Sequence, residues 1–124
     1  MNITNKVLTD VKGRMLEEIV LLEVNRVIPK NKEALKFKFD AGGEYDMIIY
    51  DKSTNTCKLY EIKHNDRIDD NQFRFLVDKD KYELIENKYG TIVGKYVLYR
   101  GQNKKIESID YINVEVFLTN LKYI

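Results

Sequence analysis

Asp46, followed after 14 intervening residues by Glu61-Ile62-Lys63, marks the positions in this chain whose types and spacing could do chemistry. Two carboxylates and an ammonium brought to one point can share an ion. Without such a use the arrangement is unfavourable, because each charge loses water and the carboxylates repel one another. Whether they meet depends on the segments that carry them. Gly43 to Tyr50 and Lys58 to Lys63 are rich in Ile and Tyr, which suit a pleated, half-buried surface, and Asp51 to Thr56 between them has turn chemistry. The two runs predict an antiparallel hairpin, with Asp46 and Glu61 at the same end. A period of two puts Leu59, Glu61 and Lys63 on one face and Lys58, Tyr60 and Ile62 on the other. A plainer reading stays open at this point. Glu61 and Lys63 could form an exposed strand pair worth at most about 1 kcal/mol, and Asp46 could be a turn residue after two glycines.

The elements around the hairpin follow from periodicity. Val11 to Ile28 is the strongest helical pattern: Met15, Leu16, Ile19, Val20, Leu22, Val24 and Val27 cover more of the wheel than a surface helix needs, which predicts packing on more than one side. Asp10 or Thr9 can cap its start, and Pro29 ends it. Glu17 falls on an apolar flank between Leu21 and Val24, whereas Glu18 lies nearer the polar strip with Arg14 and Asn25. A carboxylate at the first place needs either a partner or a path to water. After Pro29, residues Lys30 to Glu33 read as a connection, and Leu35 to Phe39 as a strand with Leu35, Phe37 and Phe39 inward. Asp40 to Gly43 then turns the chain, which makes the first three strands a meander.

Beyond Lys63 the pattern predicts a helix from Asp69 to Val77 and a second, capped by Asp78, through Tyr82, Leu84 and Ile85 to Gly90. Ile92 to Tyr99 reads as a fourth strand, Gly101 to Lys105 as a turn and Ile109 to Ile112 as a fifth strand. Asn113 caps a closing helix through Leu121. The order is α-β-β-β-α-β-β-α. A helix crossing between strands three and four permits parallel pairing in a mixed central sheet, so the class is α/β, or α+β by another count.

The chain has 124 residues, 44% of them apolar and 33% charged, which fits one domain spanning 1–124 that buries its own core. With 21 Lys and Arg against 20 Asp and Glu, the net charge of +1 gives no general pull toward phosphate backbones, although local clustering or a bound cation changes that. A single cysteine, Cys57, excludes an internal disulfide and a cysteine-built zinc cage. His64, the only histidine, reads as a loop residue. The absence of a long apolar run and of a basic-then-apolar leader leads to the expectation of a cytoplasmic protein with no membrane partner. The tyrosines at 45, 50, 60, 96 and 99 fall on strands and read as sheet packing.

This order, with Asp46 on the second strand and Glu61-Ile62-Lys63 on the third, resembles the PD-(D/E)xK nuclease superfamily, the restriction-endonuclease-like fold. In that superfamily a first-helix acid often follows a glycine by four positions, a spacing matched by Gly13 and Glu17. A glutamine soon after the lysine recurs in several branches, and Gln72 takes that place. Tyr45 stands where the superfamily's name has proline. Gly13 to Val24, Gly43 to Asp46, Tyr60 to His64 and Gly94 to Gly101 look like the uncharacterised C-terminal domain of bacterial and archaeal AAA-type ATPases. No G-x-x-x-x-G-K-[ST] occurs, so ATP binding by such a parent cannot reside in these residues. The resemblance implies that Glu17, Asp46 and Glu61 bind Mg²⁺ or Mn²⁺, that Lys63 orients a nucleophile or stabilises developing charge, and that Gln72 positions a ligand. It implies DNA, with RNA as the alternative, as the substrate and an ATPase module in cis. It equally admits a catalytically inactive nuclease-fold module that mediates partner binding or self-association.

Overall fold

A computed structural model describes residues 14–40, 42–68 and 78–123. Helix α1 (Arg14–Val27) leads into three strands, β1 (Lys32–Lys38), β2 (Glu44–Asp51) and β3 (Thr56–Ile62). Helix α2 (Lys79–Tyr89) precedes β4 (Thr91–Tyr99), β5 (Lys104–Ile106) and β6 (Ile109–Asn113), and α3 (Val114–Thr119) with a 3-10 turn (Leu121–Tyr123) follows. The expected helix over 69–77 lies outside the described residues. The sheet runs in the order β1-β2-β3-β4-β6-β5, so the fold is mixed α/β with an open six-stranded sheet.

The meander and crossover are as the sequence predicts: β1-β2 and β2-β3 pair antiparallel, and β3-β4 and β4-β6 pair parallel. Helix α2 lies on one face of the sheet, where Ile85 packs with Leu59, Tyr45 and Val97. Helices α1 and α3 lie on the other, where Leu16, Val20, Val24 and Phe117 pack with Met47, Tyr60 and Ile62. Asp78 caps α2 by accepting from the Asp80 and Lys81 amides, and Asn113 caps α3 in the same way through Glu115 and Val116.

Three expectations need correction. Helix α1 packs on one side: Leu16, Val20 and Val24 are fully buried, while Met15, Leu22 and Val27 are exposed. Strand β1 begins at Lys32, within the expected connection, and Ala34 is buried against α1 while Phe37 and Phe39 face the α2 side. The strand serves two cores, so inward residues lie on both of its faces. Lys104–Ile106 is a sixth strand where a turn was expected; its antiparallel pairing with β6 makes it a short edge that carries two lysines, a composition that discourages further strand addition. No helix among the described residues is long and apolar enough to cross a membrane.

Candidate functional site

Regular pairing of β1 with β2 breaks at Asp46. Leu35 faces Ile48 and Phe37 faces Tyr45, so β2 advances three residues while β1 advances two. Lys36 therefore stands opposite both Asp46 and Met47, the signature of a β-bulge, which re-aims side chains and sharpens local twist. The effect on packing is direct: Tyr45 and Ile48, three apart, share the α2-side core, while Met47 and Ile49 join the α1 side. Asp46 is thereby brought to the α1 side, beside Glu17.

Glu17, Glu44 and Asp46 each offer a carboxylate oxygen, and these atoms lie within 4.8 Å of one another. Lys36 is their counter-charge, with its ammonium 3.4 Å from Glu17 and 3.3 Å from Glu44. Asp46 is 6% exposed, and its Oδ2 accepts a 2.8 Å hydrogen bond from the Ile62 amide, which fixes it to the end of β3. Glu61 follows Tyr60, which pairs with Met47, so it comes level with Asp46 at the open end of the hairpin. Its Oε1 is enclosed and has no hydrogen-bond partner among the described residues.

The electrostatics follow from four neighbouring carboxyls, two of which share the Lys36 ammonium. Burial raises the Asp46 pKa well above the ordinary carboxylate range, against the opposing pull of the Ile62 amide, and Glu17 adds to the rise. Burial also raises Glu61, with the Asp46 carboxylate beside it the next cause and Glu17 and Glu44 behind. The two carboxyls thus compete for protons as a pair. Burial works against the Lys36 charge, yet Glu17 and Glu44 together hold its pKa above the usual lysine value.

The sequence-predicted residues are distributed unevenly around this site. Glu17 and Asp46 converge, whereas Glu18 is exposed. Glu61 adjoins Asp46, but Glu44 completes the three-oxygen set in the position expected for Glu61. Lys63 sits just past β3, its amide donating to Leu98 O at 2.8 Å and its ammonium to the Arg67 carbonyl. Gln72 lies outside the described residues. Glu44 and Lys36 were not expected. Glu44 is two positions before Asp46, a spacing that places both on one strand face, and that period was the available signal.

The donor set suits a hard divalent ion, being all carboxylate oxygen. Around octahedral Mg²⁺ adjacent ligand oxygens are about 3.0 Å apart and opposite ones about 4.2 Å, so three oxygens within 4.8 Å of one another have to draw together by up to about 1.8 Å to share such an ion. No protein-family model, curated protein or solved structure matches this chain.

Proposed function

We propose that this chain is a metal-dependent nuclease-like domain of the restriction-endonuclease-like, PD-(D/E)xK kind, acting on DNA and working beside an AAA-type ATPase module. The observation that carries the reading is the convergence of Glu17, Glu44 and Asp46, with Glu61 beside them, at the bulged end of a hairpin. Glu17, Glu44 and Asp46 would hold Mg²⁺ or Mn²⁺. Bound there, such an ion polarises a phosphate oxygen and lowers the pKa of a bound water. The Ile62 amide holds Asp46 in place, and Lys36 limits repulsion among the ligands. Glu61, with its raised pKa, holds its proton near neutral pH and suits donating it. Lys63 supplies an ammonium at the same end of β3 for charge that develops on a phosphate, and Gln72 would position a ligand.

The test is cleavage of plasmid and short DNA by purified protein with Mn²⁺ or Mg²⁺. The expected result is cutting that Asp46→Asn and Glu17→Gln abolish while both variants stay folded. Equal cutting by wild type and variants would assign the activity to a contaminant and overturn the reading.

A second reading, an inactive nuclease-fold module for partner binding or self-association, is favoured by the exposed Met15, Leu22 and Val27 on α1 and by Lys36 already neutralising two of the acids. It predicts no change in stability on adding divalent ions, whereas binding to a competent site stabilises the fold.

A further inference from the structure

The α1 side of the sheet carries a second feature, along β3 from Lys58 to Tyr60, just before the carboxylates. A cleft of about 260 Å³ opens there between the sheet and α3, lined by Lys58, Tyr60, Tyr96, Ile112, Phe117 and Asn120 among others. Its walls are aromatic and aliphatic, and its charge is a single ammonium. Tyr60 and Tyr96 are neighbours across the parallel β3-β4 pair and stack with ring centres 4.8 Å apart and planes 17° from parallel. Tyr60 is buried and braced on Phe117, whereas Tyr96 is half-buried. Gly94 makes this arrangement possible: a Cβ there would come within 2.6 Å of the Tyr96 ring, so the ring leans back over the glycine. Lys58 pairs with Gly94 in the register, which brings its ammonium to 5.9 Å from the Tyr96 ring centre. Among the described residues no carboxylate lies within ion-pair distance of Lys58.

A buried tyrosine backing a partly open one, with an unpaired ammonium beside them, offers a π-face and a cation to one ligand. A planar aromatic ring bearing an anionic group matches both. We propose that the cleft is a base-binding subsite for single-stranded nucleic acid, in which one nucleobase extends the Tyr60-Tyr96 stack and an adjoining phosphate meets Lys58. This inference rests on the nuclease-like reading and adds to it a preference for unpaired strands. A base inside a duplex cannot reach such a platform without leaving its stack. Lys58 and Ile62, whose amide holds Asp46, are four residues apart on one strand, roughly 13 Å at about 3.3 Å per residue. That distance equals the rise of about four stacked nucleotides at 3.4 Å each. A strand running directly between the two places therefore has its scissile phosphate no more than about four nucleotides from the seated base.

The experiment is fluorescence anisotropy of a fluorescein-labelled ten-nucleotide oligothymidylate, and of the same strand in a duplex, titrated with the whole chain in EDTA. The wild type should bind the single strand more tightly than the duplex. Tyr96→Leu should weaken single-strand binding by roughly 5- to 150-fold, the range for losing one stacked base. Lys58→Ala, at a half-buried position whose loss leaves the core intact, should weaken it and flatten the plot of log K against log salt by about 0.7, one single-strand phosphate contact. Thermal melts confirm that both variants fold. Wild-type affinity in both folded variants, or equal binding of duplex and single strand, would overturn the subsite. Asp46→Asn separates the two readings. If it binds as wild type while no protein cuts, the subsite stands and the nuclease reading falls; cutting and binding indifferent to Tyr96 and Lys58 leave the nuclease reading and remove the subsite.

Discussion

Glu61→Gln tests the charge balance of the site without disturbing its shape. In the unfolded chain Glu61 releases its proton in the ordinary range, near pH 4.3. In the folded protein burial and the neighbouring Asp46 keep the proton on to higher pH. Between these two points the native state binds more protons than the unfolded state, so stability falls as pH rises, by up to about 1.4 kcal/mol per pH unit for one proton. Below pH 4 the group is protonated in both states and the difference vanishes. Over the interval from pH 4.3 to pH 7 the loss reaches at most about 3–4 kcal/mol. The glutamine carries no such penalty, and its amide can donate to Asp46. Urea unfolding in EDTA should therefore show Glu61→Gln within about 1 kcal/mol of wild type at pH 4 and about 2–3 kcal/mol more stable at pH 7, with an unchanged urea slope. Asp46→Asn, which keeps an oxygen for the Ile62 amide, should move in the same direction. A stability difference independent of pH, or a less stable Glu61→Gln at pH 7, would refute the claim that this carboxyl is held against ionisation.

Lys36→Met removes the ammonium that bridges Glu17 and Glu44, and should lower metal-free stability by about 1–3 kcal/mol, since uncompensated, partly buried carboxylates remain. Thermal melts with and without Mn²⁺ check it, and a larger Mn²⁺-induced rise in the variant than in wild type is the expected signature. Gly90→Ala should destabilise by at least about 2 kcal/mol, because φ at 90 is +84° and a Cβ there would lie 1.9 Å from the Asn55 carbonyl oxygen. Urea unfolding at neutral pH reads that loss, and wild-type stability would contradict the close approach of α2's end to the β2-β3 turn.

Much of this fold was legible because the signals were local and agreed with one another. The hairpin around Asp51 to Thr56, the Asp78 and Asn113 caps, the Gly90 stop and the parallel crossover all rest on a few adjacent residues whose chemistry has one good use. Strand β1 was harder, because its alternation of apolar and charged residues conceals two buried faces. Ala34 is too small to register as a core residue by pattern, yet it is buried against α1. The wide apolar arc of α1 pointed to packing on several sides, and the exposed Met15 and Leu22 show that apolar composition does not determine burial.

The site was legible in its residue types and not in its final contacts. Asp46 and Glu61 share the hairpin's open end because antiparallel register requires it, and that much is arithmetic on the sequence. The bulge is not: it arises where Lys36 faces two residues, a property of the β1-β2 register that no single segment encodes. Yet the bulge decides the chemistry. It brings Asp46 to Glu17, and it leaves Glu44 and Lys36 to complete a cluster in which three close oxygens have one ammonium between them. A lysine holding two ligands is a counter-charge that stays with the protein, whereas a divalent ion is one that comes and goes. The same four acids can thus be read as a quiet ion-pair network or as a metal centre, and the response of Lys36→Met to Mn²⁺ distinguishes them: a site built for metal regains with the ion what it loses with the lysine.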